Sequence, residues 1–126
     1  MKTKVLTASA LVAALAGPAF AEGDPAKGEK VYRKCKSCHM IGTDAKNRAG
    51  PILTGIVGAA AASVEGFNYS DALSEKAAEG LAWSEENLTA YLSNPKEFIP
   101  GNRMSFAGLR KDDDIVNLIA YLATFE

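Results

Sequence analysis

Cys35-Lys36-Ser37-Cys38-His39 decides how this chain is read, because five consecutive positions hold both cysteines and the single histidine of a 126-residue sequence. Two thiols three residues apart can each add to one vinyl group of a single porphyrin, and the histidine that follows is placed to ligate its iron. Covalent attachment and the first axial ligand then come from one turn of chain. Other uses of Cys-x-x-Cys fit less well. A closed structural zinc site needs four ligands, almost always Cys or His, and two Cys with one His do not supply them. A redox dithiol belongs at a strand-to-helix junction, whereas no strand-like run flanks this motif.

Toward the N-terminus, Asp24-Pro25 opens a helix, with Asp24 as cap and Pro25 at the first helical position. The helix is expected to run to about Cys35, with Val31, Tyr32 and Cys35 on one apolar stripe. Gly28 inside it costs ~1 kcal/mol relative to alanine, so it either permits close contact with another helix or is simply tolerated. Further upstream, Lys2 and Lys4 precede an apolar run from Val5 to Ala16, and Ala19-Phe20-Ala21 is a small-x-small cleavage site. That pattern is a secretory signal over residues 1–21, leaving one domain over 22–126. A membrane anchor is the competing reading, but the run is broken by Gly17-Pro18 and falls short of the ~20 residues that span a bilayer. With Lys2 and Lys4 removed, 12 basic residues face 15 acidic ones, a formal charge of −3. That balance favours neither nucleic acid nor a strongly anionic membrane.

Toward the C-terminus, residues 40–66 show no sustained period and read as loop wrapped around a cofactor. Within it the carbonyl at Gly50-Pro51 can orient the His39 imidazole by accepting its second ring N–H. Ser70 caps a short helix ending before Gly80, and a second starts at Ser84, buries Leu88, Tyr91 and Leu92, and stops at Asn94-Pro95. Trp83 precedes that helix, and its buried N–H needs an acceptor, for which a haem propionate is one candidate. Residues 98–108 are again irregular. The last helix runs from Asp112 or Asp113 to Thr124, with Ile115, Leu118, Ile119 and Leu122 at helical spacing.

With His39 on one face of the iron, the chemistry turns on what occupies the other, and the chain offers three methionines. Met1 leaves with the signal, and Met40 adjoins His39 and cannot reach the opposite face. Met104 remains. It could merely fill a gap, yet it is embedded in an irregular Ile-Pro-Gly-Asn-Arg-Met-Ser-Phe-Ala-Gly segment suited to delivering one residue at a fixed place. A soft thioether stabilises ferrous iron and suits a His/Met electron carrier.

From Asp24 to Phe125 the chain resembles class I c-type cytochromes, particularly the bacterial cytochrome c2 type, which is similar to mitochondrial cytochrome c. The matching segments, in order, are Gly28 and Tyr32, Cys35 to His39, Gly50-Pro51, Gly66 to Ser70, Trp83, Tyr91-Leu92, Asn94-Pro95, Ile99 to Gly101 and Met104 to Gly108. The resemblance implies an all-α fold around one covalent haem c, with the first and last helices crossing at Gly28, Tyr32, Leu118 and Tyr121. It implies Cys35 and Cys38 as haem attachments, His39 and Met104 as axial ligands, and the Pro51 carbonyl on His39. It also implies Tyr91 near the Met104 sulfur, with Tyr69 and Trp83 on a haem propionate. Two positions depart from the pattern: Gly58-Ala59 stands where a propionate-neutralising Gly-Arg is usual, and Asn102-Arg103 stands where Thr-Lys precedes the methionine. Losing the arginine is expected to lower the reduction potential.

The implied function is one-electron transfer in the periplasm by a monomer, not catalysis. The implied donor is a cytochrome bc complex, and the acceptor is a terminal oxidase or a photosynthetic reaction centre, met transiently at the membrane. Lys30, Arg33, Lys34, Lys36, Lys46 and Arg48 oppose only Asp44, whereas residues 65–86 carry six acids against Lys76. Lys34 and Lys36, joined by Lys96, Arg103, Arg110 and Lys111, flank the two ligand segments and form an expected docking face for acidic partners. A haem enzyme or gas sensor would need Met104 off the iron, and a thiol-disulfide module would need free cysteines and no haem.

Overall fold

A computed structural model describes residues 23–126. The expected signal over residues 1–21 lies outside the described residues. Five helices follow in chain order: α1 (Pro25–Tyr32), α2 (Asp71–Ala78), α3 (Glu85–Ser93), α4 (Pro95–Phe98) and α5 (Asp112–Ala123). There is no β-strand among the described residues, only an isolated antiparallel bridge between Ala60 and Ala82.

Local chemistry explains the helix ends. Asp24 accepts from the N–H groups of Ala26 and Lys27, and Ser70 and Ser84 each accept one from the third residue on, as N-cap side chains do. Gly80 follows α2 with φ +97°, a left-handed conformation that stops the helix. The first helix ends earlier than expected. It stops at Tyr32, because Lys34 and Cys35 bond back only three residues, to Val31 and Tyr32, and the chain tightens into turns through the cysteine motif. The α4 turn was not legible in advance: Asn94 ends α3 and its side chain then caps α4 by accepting from Glu97 N, with Pro95 at the first position.

The frame is the crossing of α1 and α5. A Cβ on Gly28 would run into the Asn117 carbonyl and lie 2.7 Å from Tyr121 Cβ, so only glycine lets the two backbones meet. Beside it the Tyr32 and Tyr121 rings sit 5.4 Å apart, and Asp24 N donates to Asn117 Oδ1 at 2.8 Å. The buried face of α5 (Ile115, Leu118, Ile119 and Leu122) joins Tyr32 from α1, Leu88 and Leu92 from α3, and Trp83, Ile99 and Leu109 in one core. Each fully buried aliphatic side chain contributes about 1.5–3 kcal/mol of transfer free energy. The irregular remainder is thereby hung between helices whose positions the core fixes.

Candidate functional site

The cysteine motif is held as a compact turn. Cys38 N and His39 N both donate to Cys35 O, at 3.2 and 2.9 Å, so the two thiols and the imidazole leave one short coil of backbone. A return strand of loop closes over it. Gly50 N donates to Cys38 O at 2.9 Å, and Leu53 N donates to Met40 O at 3.0 Å. Gly50 itself is buried, and a Cβ there would run into the His39 ring, so the loop can approach the imidazole only at a residue without a side chain.

That approach brings Pro51 O to 2.7 Å from His39 Nδ1. A carbonyl can only accept, so Nδ1 carries the proton and Nε2 keeps its lone pair. Burial lowers the imidazole pKa, and the Pro51 hydrogen bond opposes that fall. Neutral imidazole, the metal-binding form, is therefore favoured at neutral pH. The Tyr32 hydroxyl donates to His39 O at 3.3 Å, tying the motif to α1. Sequence reasoning missed the props of this loop. Asn47 accepts from Ile52 N at 3.0 Å and donates to Glu65 O at 3.1 Å, and Thr54 exchanges two 2.9 Å bonds with the Gly42 backbone. Nothing in their spacing announces these contacts, which depend on where the loop turns.

The two cysteines are not joined in a disulfide, and Cys35 is half-buried while Cys38 is exposed. Burial pushes the Cys35 thiol up to about 11, Lys34 pulling it down and Cys38 raising it further. A redox dithiol needs the opposite shift, toward thiolate.

Met104 lies elsewhere in the sequence but in a similarly constrained segment. The Tyr91 hydroxyl, from α3, lies 3.8 Å from its Sδ, close enough for a weak O–H to sulfur bond. Burial drives Tyr91 up to about 12, so that hydroxyl keeps its proton. The Tyr91 ring packs on Trp83 with centroids 4.9 Å apart. Trp83 in turn is fixed by its backbone, donating from N to Ala59 O and accepting from Gly58 N, both at 2.7 Å. The Tyr69 hydroxyl accepts from Val64 N at 3.0 Å, which leaves its own proton to be donated elsewhere. Asn102 and Arg103, the departures before Met104, both bond to the main chain: Asn102 to nearby Pro95, Ile99 and Met104 backbone groups, and Arg103 Nη2 across the fold to Asn68 O at 2.7 Å.

This donor set fits a haem attached through both thiols. A neutral imidazole with one nitrogen engaged, a glycine cradle against its ring and a thioether touched by a protonated phenol are the environments such a group requires. Among the described residues no cluster of His, Cys, Asp and Glu offers an alternative metal site. No described helix is long and apolar enough to cross a membrane.

Comparison with known proteins agrees with this chemistry. The family model described as Cytochrome c matches residues 25–126. Cytochrome c-550 of Ancylobacter novellus is 52% identical over 101 residues, covering 80% of this chain and 94% of that protein. Cytochrome c2 of Agrobacterium tumefaciens is 48% identical over 101 residues, covering 80% and 91%. Among solved structures, cytochrome c2 from Rhodospirillum centenum superposes with a TM-score of 0.79 at 38% identity, covering 82% of this chain and 99% of that one.

Proposed function

The chain belongs to the cytochrome c family, and from that premise we propose that it is an exported periplasmic carrier whose haem iron is held between His39 and Met104. Membership itself makes it an electron carrier with one covalent haem c, not an enzyme. A bound haem supplies an iron that gains or loses one electron. The chain's residues do the rest.

Cys35 and Cys38 are the thioether anchors. His39 is the first axial ligand, and the observation that carries this is the 2.7 Å contact of Nδ1 with Pro51 O, which fixes the tautomer and frees Nε2. Met104 is the second, steadied by the Tyr91 hydroxyl. Tyr69 and Trp83 would hold the propionates, Tyr69 with a phenol proton still to donate. With His39 and Met104 both as ligands, a bound haem would have no open position for oxygen or a substrate; Leu88, Leu92, Ile99 and Leu109 are buried in the same core. Low polarity and fixed ligands limit reorganisation when the charge changes.

Residues 1–21 are the cleaved leader, consistent with their charged, apolar and small-residue order. Lys34, Lys36, Lys96, Arg103, Arg110 and Lys111 are all exposed, and the one ion pair among the described residues is Lys76 with Glu79, elsewhere. None of these cations is in an ion pair among the described residues, although Arg103 Nη2 also donates to Asn68 O, and they would meet acidic partners, a cytochrome bc complex as donor and a terminal oxidase or photosynthetic reaction centre as acceptor.

The direct test is acid-solvent extraction and carbon monoxide exposure of the purified protein. Haem retained through extraction, with a reduced spectrum unmoved by carbon monoxide, is the expected result. Extractable haem would remove the thioether assignment, and ready carbon monoxide binding would remove the closed site.

A further inference from the structure

The segment that delivers Met104 has little regular structure of its own, and one side chain ties it down. Asn102 is half-buried, and three main-chain groups surround its amide. Its Nδ2 donates to Pro95 O at 2.9 Å and to Ile99 O at 2.8 Å, and its Oδ1 accepts from Met104 N at 2.9 Å. Two acceptors and one donor around a single amide leave only one orientation for it.

The base of this clamp is rigid. Pro95 and Ile99 are among the most deeply buried residues of the protein, and they bracket the single turn of α4. Pro95 opens that turn and Ile99 follows it, and each of the two carbonyls can accept more than one donor. Pro95 O receives Ile99 N at 3.0 Å and Ile99 O receives Asn102 N at 3.2 Å, and the Asn102 side chain supplies each with a second donor. The far end of the segment is fixed by Leu109 N donating to Leu92 O at 2.8 Å, beside Gly108, whose Cβ would run into Ser93 O. Between these two fixtures, Met104 N is held by nothing but Asn102 Oδ1 among the hydrogen bonds of the described residues.

We propose that Asn102 is a positioning residue that holds the Met104 thioether at the iron, so that it governs how readily an outside ligand displaces the methionine. The proposal rests on Met104 as axial ligand. Room for a competing base beside the iron is made by moving the Met104 segment outward, and a movement that carries the Met104 backbone breaks the Met104 N to Asn102 Oδ1 bond. Keeping the bond therefore disfavours the displaced state. A bond with a net value of about 1.4 kcal/mol corresponds to about a tenfold change in competitor affinity.

Three variants separate the parts of the clamp. Asn102→Ala removes all three bonds. Asn102→Asp keeps an acceptor for Met104 N but sets a carboxylate against two carbonyls. Asn102→Thr has one hydroxyl that can accept from Met104 N while donating to one carbonyl. The experiment is titration of the oxidised holoprotein with imidazole, followed through loss of the far-red sulfur-to-iron absorption band, alongside a denaturant midpoint for each variant. The expected result is imidazole affinity raised about tenfold or more in Asn102→Ala and Asn102→Asp, with Asn102→Thr in between. Affinity unchanged within twofold in both Ala and Asp variants, with the band present, would overturn the clamp and leave Met104 ligation standing. Affinity that follows the denaturant midpoint alone, with no partial rescue by threonine, would also overturn it. A band absent from the unaltered protein would remove the ligand reading itself, and the proposal with it.

Discussion

His39 Nδ1 lies 2.7 Å from the carbonyl of Pro51, and the residue that lets the loop come so close is the buried Gly50. The imidazole's protonation state and direction are thus set by a loop twelve residues away. Gly50→Ala would drive a methyl group into the ring. The expected outcome is a loss of about 1–3 kcal/mol of stability, the usual cost of overpacking, with a changed haem spectrum. A denaturant titration monitored in the haem absorption reads both, and an unchanged midpoint would mean that the loop yields freely.

The alkaline limb of the stability curve should carry the signature of Tyr32. Burial, the largest cause, pushes its phenol up to about 12 from an ordinary 10, and Tyr121 adds to the rise. A folded pKa above the unfolded one means that the stabilisation is complete below about pH 10 and is lost as the pH rises toward 12. Burial raises Tyr69, Tyr91 and Tyr121 as well, so Tyr32→Phe should make the decline shallower without abolishing it. Denaturant midpoints of the two proteins between pH 9 and pH 12 decide the matter. Parallel curves would show that Tyr32 contributes nothing to the decline.

Ala59 stands where the Gly-Arg pattern usual in c-type cytochromes would put an arginine, and its carbonyl receives Trp83 N at 2.7 Å. Ala59→Arg should raise the reduction potential by on the order of tens of millivolts, since a nearby cation favours the less positive iron. Redox titration of both proteins at one ionic strength measures this. An unaltered potential would show that the missing cation has no electrostatic role.

Much of this was legible in the residues. Asp24-Pro25, Ser70 and Ser84 announce helix starts through local capping chemistry, and the spacing of Ile115, Leu118, Ile119 and Leu122 announces the buried face of α5. Gly28 could be flagged, but only the crossing with Asn117 shows that the glycine is required. The early end of α1 at Tyr32 was hidden, because Cys35 continues the apolar stripe that a helix would show while its backbone has already tightened. The α4 turn and the bonds of Asn47 and Asn102 were hidden for a different reason. They join polar side chains to main-chain groups whose positions depend on the folded loop, and no periodicity encodes them.

The exposed cations beside the ligand segments predict a rate that depends on salt. Electron transfer to an acidic partner complex should slow as ionic strength rises, because a screening length of ~10 Å at 0.1 M weakens the steering field. Lys96→Glu and Lys111→Glu should each lower the bimolecular rate and flatten its salt dependence, while leaving the reduction potential nearly unchanged. Stopped-flow measurements over a salt series test this, and rates indifferent to salt would exclude the docking face.

The far-red absorption of the oxidised protein tests most directly whether Met104 closes the site opposite His39. A weak sulfur-to-iron charge-transfer band should be present in the unaltered protein and absent from Met104→Ala, whose haem stays covalently attached through Cys35 and Cys38. A band missing from the unaltered protein, or one that survives Met104→Ala, would contradict the assignment.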